Sequence, residues 1–321
     1  MKLLAVAVSA LVSASVPAVP EISALPSAVR GAGTTAALPG GGGCARPDAR
    51  IRPGADHARE RNELSATEVV NVERELNGLL GALGVKSAPG ETGRAKRRAP
   101  ARVTIPVYFH VLHDGTRGNV PARTVQRQIS VLNDGYGGRL GGADTRFTFS
   151  LRKITRTDNA AWYGDPEAYE ETFKARLHRG GATTLNLYSA DLGDELLGWS
   201  TFPWKYRNAP KMDGVVIHLG SMPGGSIERF NRGYSGTHEV GHWLGLYHPF
   251  QDGCASPGDR VSDTPPEREA TNGCPESKDT CPAAGRDPVH NFMDYSWDSC
   301  MSEFTPGQGA RMHKAWTAYR A

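Results

Sequence analysis

The segment from residue 238 to residue 248, HEVGHWLGLYH, constrains this chain more than any other. His238 and His242 stand four residues apart, so in a helix their side chains lie on one face and can bind one metal ion. Glu239 is rotated by about 100° from His238. That offset keeps its carboxylate off the metal and within reach of a water bound there. The pattern predicts metal-assisted hydrolysis with Glu239 as the general base.

Gly245 predicts where this helix ends, because glycine accepts a positive φ and allows the chain to turn back. The turn can bring His248 to the metal as a third ligand. Three protein ligands leave a fourth position for water or a substrate carbonyl, which is typical of catalytic zinc. The competing interpretation is an ordinary helix with two histidines, and the added glycine and third histidine argue against it. We therefore expect one catalytic Zn²⁺.

The N-terminus has the pattern of a secretory signal peptide. Met1 and Lys2 precede an apolar run from Leu3 to Val16, and Pro17 follows at once. The run is shorter than the roughly 18 to 20 apolar residues that cross a bilayer, which argues against a stable membrane anchor. We assign residues 1–28 to the signal peptide, leave its cleavage point open, and expect a secreted, extracellular protein.

Residues 29–100 have the composition of a prosegment or linker, rich in Ala, Gly, Pro and Arg. The exception is the stretch from Ser65 to Leu83, where Ser65 and Glu68 can form a capping box before helically spaced apolar residues. A basic stretch, Arg94 to Arg98, is either a site where a proenzyme is cut or a solvated linker.

Residues 101–321 read as one α+β catalytic domain. Strands and helices alternate in its first part, which predicts a mixed, mainly parallel sheet. After Pro249 the sequence turns to Asp, Pro, Gly and Cys with little periodicity, so that region needs disulfides or metal ions for stability. The predicted strands are Val103–Leu112, Arg146–Lys153, Leu185–Tyr188 and Gly214–Leu219; the predicted helices are Pro121–Tyr136, one opened by Asp165 and Pro166, and Pro306–Tyr319.

The five cysteines fit an exported chain with two disulfides and one leftover thiol, Cys44. The other four cluster late and allow three pairings; a second zinc site is the rival interpretation, although no C-x-x-C pair is present. A net charge of +3 and a pI near 8.6 give no indication of a nucleic-acid partner. We expect a monomer. The late cysteines are Cys254, Cys274, Cys281 and Cys300.

The extended histidine pattern resembles that of the metzincins, H-E-x-x-H-x-x-G-x-x-H followed by a Met-turn. The later segment Asn291–Tyr295 resembles that turn, with Met293 as the apolar floor and Tyr295 as a residue near the zinc. Within the metzincins the chain is similar to the pappalysins, in their compact ulilysin- and cytophagalysin-like branch. Further segments that carry this resemblance are Leu185–Tyr188, Leu196–Gly198, Asp263–Pro265 and the late cysteines.

The resemblance implies a metzincin-type domain with a twisted sheet plus backing and active-site helices above a cleft, and an irregular, disulfide-braced subdomain below. It implies the disulfides Cys254–Cys281 and Cys274–Cys300. It also implies a structural Ca²⁺ bound by Asp259 and the Thr264 carbonyl, against the alternative of an ordinary Asp-rich turn. Related zymogens use a cysteine switch, and Cys44 could silence the zinc of a proenzyme in the same way, although the sequence around it is only loosely similar to known switch motifs; the alternative is a stray or intermolecular cysteine.

The function that follows is endopeptidase activity on protein or peptide substrates. Glu239 would take a proton from water and pass it to the leaving amine, and Tyr295 would stabilise the tetrahedral intermediate. Extended substrate is expected to pair with an edge strand. The resemblance implies a preference for a basic residue after the cut, which would permit self-processing at Arg94 to Arg98. The alternatives are a secreted zinc-binding protein without peptidase activity and a hydrolase of small amides.

Overall fold

The computed structural model describes residues 64–85 and 100–321, all within one compact unit, residues 45–321. The predicted signal peptide, Cys44 and the basic stretch from Arg94 to Arg98 lie outside the described residues. Among the described helices none is long and apolar enough to cross a membrane.

Five strands form a single sheet in the order β2-β1-β3-β5-β4. The first four strands in that order run parallel, and β4 pairs antiparallel with β5 at one edge. The predicted mixed, mainly parallel sheet is therefore confirmed. The strands are β1 (Val103–His113), β2 (Phe147–Asp158), β3 (Leu185–Ala190), β4 (Gly198–Ser200) and β5 (Val215–His218).

Within residues 64–85 and 100–321, six α-helices accompany the sheet, and the first and last of them begin with capping boxes. In α1, Ser65 Oγ accepts a hydrogen bond from Glu68 N, and Ser65 N donates to Glu68 Oε2. Thr305 and Gln308 make the same exchange before α6. The helices are α1 (Ala66–Ala82), α2 (Ala122–Tyr136), α3 (Ala160–Gly164), α4 (Glu170–Leu177), α5 (Tyr234–Trp243) and α6 (Pro306–Tyr319).

The helix expected to open at Asp165 and Pro166 begins later, so that prediction is wrong. Asp165 ends α3, and its Oδ1 accepts a hydrogen bond from Ala168 N at 3.3 Å. This side-chain bond closes a local turn, which competes with helix formation. Helix α4 consequently starts at Glu170.

Apolar side chains cover both faces of the sheet. The larger core joins the sheet to α2, α5 and α6, and α2 contributes the predicted face of Val125, Ile129 and Leu132. A smaller core on the other face includes Trp162 of α3 and Phe173 of α4. Burying such side chains stabilises the fold by about 1.5–3 kcal/mol each. The larger core packs α5 against the sheet.

The region between α5 and α6 consists mainly of turns and is cross-linked twice. Disulfides join Cys254 to Cys281 and Cys274 to Cys300, with Cα atoms 5.4 and 5.7 Å apart. These are the pairs that the resemblance implied. Cross-links of this kind reduce the entropy of the unfolded chain, which offsets the small apolar content of the region.

A buried ion pair holds the C-terminal end of α5. Arg320 donates from Nη1 and Nη2 to both carboxylate oxygens of Asp213, at 3.0 Å each, and neither side chain is exposed. The Trp243 indole donates to the same carboxylate at 3.0 Å, and the guanidinium lies 3.6 Å from the indole centroid. One network thus joins the last turn of α5 to the chain segment before β5 and to the residue after α6.

Replacing Arg320 with Ala should lower the free energy of unfolding by about 3–5 kcal/mol, because it leaves the Asp213 carboxylate buried and unpaired. Urea unfolding of the purified protein measures this. Arg139→Ala is the matched control, since it removes a surface pair with Asp134 whose side chains are 61% and 39% exposed; its cost should stay below about 1 kcal/mol. Equal costs for the two variants would contradict the assignment.

Candidate metal centre

Helix α5 carries the first two histidines of the motif on one buried face. All ten of its residues are buried, and the chain enters it through Gly233 at a φ of 89°. The four-residue spacing places His238 Nε2 and His242 Nε2 3.1 Å apart. The predicted juxtaposition of these two imidazoles is therefore present in the structure.

The helix ends in a tight turn at Gly245, whose φ is 98°. Gly245 N donates to His242 O at 2.8 Å, and Leu246 N donates to Gly241 O at 3.0 Å, so the last carbonyls of α5 are satisfied. A Cβ at Gly245 would lie 2.7 Å from the Ala315 Cβ. Both the φ angle and the close approach of α6 require glycine here.

The turn brings the third histidine to the first two. His248 Nε2 lies 3.0 Å from His242 Nε2 and 3.3 Å from His238 Nε2. Tetrahedral zinc with bonds of about 2.0–2.1 Å would place its nitrogen ligands about 3.3–3.4 Å apart. The observed triangle is close to that size.

The hydrogen bonds on the far side of the rings also fit a cation. His238 Nδ1 is 2.8 Å from Phe292 O, and His242 Nδ1 is 2.8 Å from Leu246 O. A carbonyl oxygen only accepts, so each Nδ1 carries the proton and a neutral ring has its lone pair on Nε2. Lone pairs that face one another at these distances repel unless a cation lies between them. The three imidazoles suit zinc, with backbone carbonyls orienting two of them.

Glu239 lies on α5 directly after His238 and is 1% exposed. It packs against Gly198 of the edge strand β4: a Cβ at Gly198 would lie 2.8 Å from Glu239 Cγ. The absence of a side chain at Gly198 thus allows the glutamate to lie close under β4. In the sequence, Gly198 contributes only to the family resemblance of the segment Leu196–Gly198, and its contact with Glu239 was not predicted.

The segment Asn291–Tyr295 passes beneath the histidines. A Cβ at Gly241 would overlap the Met293 sulfur, so helix and methionine pack without a gap. The Tyr295 hydroxyl lies 3.3 Å from His248 Nε2. The structure therefore brings Met293 and Tyr295 to the same site as the three histidines.

Phe250 is a site residue that the sequence analysis missed. Its ring stacks on the His248 imidazole with centroids 4.5 Å apart and an interplanar angle of 8°. It also meets the Tyr295 ring edge-on at 5.0 Å. The short spacing to His248 was the available signal, but an aromatic residue in an irregular segment has no periodicity that predicts its contacts.

Asp259 and Thr264 lie in a separate buried turn. Asp259 Oδ1 accepts a hydrogen bond from Val261 N at 2.9 Å. Burial raises the pKa of the Asp259 carboxyl to about 7, although the Val261 N–H, the Arg311 charge and the Thr264 hydroxyl each lower it. Calcium binding by Asp259 and the Thr264 carbonyl stays a prediction.

The chain is similar in sequence to a known protein family and to extracellular metalloproteases. The family profile Peptidase_M43, described as pregnancy-associated plasma protein-A, matches residues 212–317. An extracellular metalloprotease of Arthroderma benhamiae is 44% identical over 227 residues, which cover 69% of this chain and 74% of that protein.

Two solved structures from Tannerella forsythia share the fold. Mature mirolysin in complex with a cleaved peptide is 28% identical with a TM-score of 0.60, covering 68% of this chain and 96% of that chain. A promirolysin mutant is 28% identical with a TM-score of 0.63, covering 79% of this chain and 91% of that chain. These similarities, together with the histidine-bearing helix and the mainly parallel sheet, show that the chain is a metalloprotease of the pappalysin family of metzincins.

Proposed function

We propose that this metalloprotease is a secreted endopeptidase in which one zinc ion is bound by His238, His242 and His248. The convergence of their Nε2 atoms within 3.0–3.3 Å is the observation that carries the proposal. Zinc bound there would polarise the scissile carbonyl and lower the pKa of a bound water. The similarity to an extracellular metalloprotease supports secretion.

The Glu239 carboxylate is the general base in this proposal. It accepts a proton from the attacking water and passes it to the leaving amine. Its position on α5 directly after His238, packed against Gly198 of the edge strand, supports this role. As an edge strand of the sheet, β4 would pair with an extended peptide through main-chain N–H and C=O groups.

Tyr295 is proposed to donate a hydrogen bond from its hydroxyl to the oxyanion that develops during attack. The 3.3 Å separation from His248 Nε2 supports this role, since it puts the hydroxyl beside the metal ligands. The Tyr295 ring packs edge-to-face with the Phe250 ring, and its centroid lies 5.1 Å from the centroid of the His248 ring. A positioned donor of this kind contributes by stabilising charge in the transition state.

We further propose the division into a signal peptide (1–28), a prosegment (29–100) and a catalytic domain (101–321). Cys44 would bind the zinc in the proenzyme, because a thiolate is a good zinc ligand. Cutting at Arg94 to Arg98 would separate the prosegment from the catalytic domain. The structure supports the last boundary in that β1, the first strand of the sheet, begins at Val103.

Glu239→Gln should reduce kcat on a casein-like substrate by about 10²- to 10⁴-fold, because the base is lost while the zinc ligands remain. Zinc content and cleavage are measured together on purified protein. Glu167→Gln, at an exposed glutamate, is the control and should retain full activity. If zinc is bound but neither wild type nor control cuts any peptide, the protein is a zinc-binding protein without peptidase activity and the endopeptidase proposal is wrong.

Tyr295→Phe should lower kcat by about 10²-fold with little change in KM, since only the transition state loses a hydrogen bond. Zinc content should stay at one ion per chain. Tyr169→Phe, at a tyrosine that is 39% exposed, serves as the control. A large rise in KM with kcat unchanged would assign Tyr295 to substrate binding instead.

We also propose that Asp259 and the Thr264 carbonyl bind a structural Ca²⁺. Asp259→Asn tests this through the pH dependence of stability and through the response of the Tm to calcium. The native pKa of about 7 is above the usual 3.8, so the native state holds this proton more tightly and stability falls as pH rises from about 4 to about 7. In zinc-containing, calcium-free buffer at pH 8, the variant should be more stable than wild type by up to about 4 kcal/mol. Added Ca²⁺ should raise the Tm of wild type only. An equal calcium response in both proteins would rule out Asp259 as a ligand.

A further inference from the structure

The Glu73 carboxylate links α1 to Arg311 and Tyr247. Glu73 Oε1 accepts hydrogen bonds from Arg311 Nη2 at 2.6 Å and from the Tyr247 hydroxyl at 3.1 Å. Burial on its own would raise the pKa of Glu73, but the charge and hydrogen bond of Arg311 lower it below the usual value. The carboxylate is therefore ionised at neutral pH and forms a largely buried ion pair.

Arg311 extends this contact to the loop that carries the third histidine. Its Nε donates to Gly245 O at 3.0 Å, and its guanidinium lies 4.4 Å from the Tyr247 ring centroid. Gly245 is the residue where the chain leaves α5, and Tyr247 directly precedes His248. Glu73 thus reaches both ends of the turn, one end through Arg311 and the other through the tyrosine hydroxyl.

Apolar side chains also pack α1 against the loop that contains Tyr247. Leu64 and Val69 pack in one buried cluster with Phe202 and Tyr247. The Phe202 ring lies 5.4 Å from the His242 ring and meets it edge-on. Consequently Leu64, two residues before α1, and Val69 on α1 pack against Phe202, which contacts His242, and against Tyr247, which precedes His248.

We propose that α1 positions the metal site: Glu73 orients Arg311, and Arg311 holds the turn at Gly245 that presents the third imidazole. This inference rests on the proposed zinc site and deepens it. A guanidinium without its carboxylate is costly to bury, so without Glu73 the arginine moves outward and withdraws its bond to Gly245 O. Zinc is then held less tightly, although its three ligands are unchanged.

The residues that position the metal site in this proposal include Glu73, which lies outside the predicted catalytic domain (101–321). The contacts of Leu64, Val69 and Glu73 described above join residues 64–85 to residues 100–321. Cutting the chain between residues 86 and 99 leaves all of them intact. The positioning is lost only when α1 itself dissociates or its glutamate is changed.

The test compares zinc release from the full chain carrying Glu73→Ala with release from wild type, using an excess of a coloured chelator. Changing partners of metal ligands costs about 10- to 100-fold in affinity. Because Glu73 acts through Arg311, we expect the lower end, about 10-fold faster release. Glu75→Ala is the matched control: it removes the same side chain from an exposed position on α1 and should release zinc like wild type.

A second measurement separates positioning from simple loss of stability. Zinc raises the Tm of any protein that binds it in the native state alone. If Glu73 positions the site, Glu73→Ala reduces this zinc-induced rise, and Glu73→Gln, which keeps the size and the accepting oxygen, reduces it less. A variant that lowers the Tm of the zinc-loaded and zinc-free forms equally, with unchanged release, overturns the inference. A wild type that binds no zinc overturns the proposed function itself.

Discussion

The meeting of three imidazoles depends on two hydrogen bonds made on the outer side of the rings. His238 and His242 each donate from Nδ1 to a backbone carbonyl at 2.8 Å, one in the Met-turn and one in the loop after α5. Neither ring can rotate without breaking its bond. The inward direction of the Nε2 atoms is therefore set by the backbone, and the sheet, the turn and the cross-linked lower region all serve to hold that backbone.

Much of this arrangement could be predicted from the sequence because it depends on short-range patterns. The histidine spacing, the breaking glycine and the capping box at Ser65 are local signals; α1 lies within one residue of its predicted bounds, and α6 has the predicted bounds. The strand β4 was not predicted as such, because Gly198–Ser200 is too short for alternation. The start of α4 was wrong because a side-chain turn at Asp165 outcompeted the helix.

The contacts that the sequence did not reveal are those between distant segments. Glu73 and Arg311 lie 238 residues apart, and each alone is an ordinary charged residue on an amphipathic helix. Arg320 and Asp213, which lie outside the α-helices, are likewise 107 residues apart. Periodicity predicts which face of a helix is buried, but it cannot predict which buried charges meet. Pairings of this kind follow from the packing of layers, and only the assembled fold shows them.

The direction of β4 has a consequence for any chain that pairs with it. The other four strands all run one way, and β4 runs against them at the edge. A peptide that adds to β4 in the antiparallel sense would therefore run in the same direction as those four strands. For a peptide paired in that sense, the direction of β4 would set which side of the histidine cluster receives the residues before the cut and which side receives the residues after it, before any side chain is recognised.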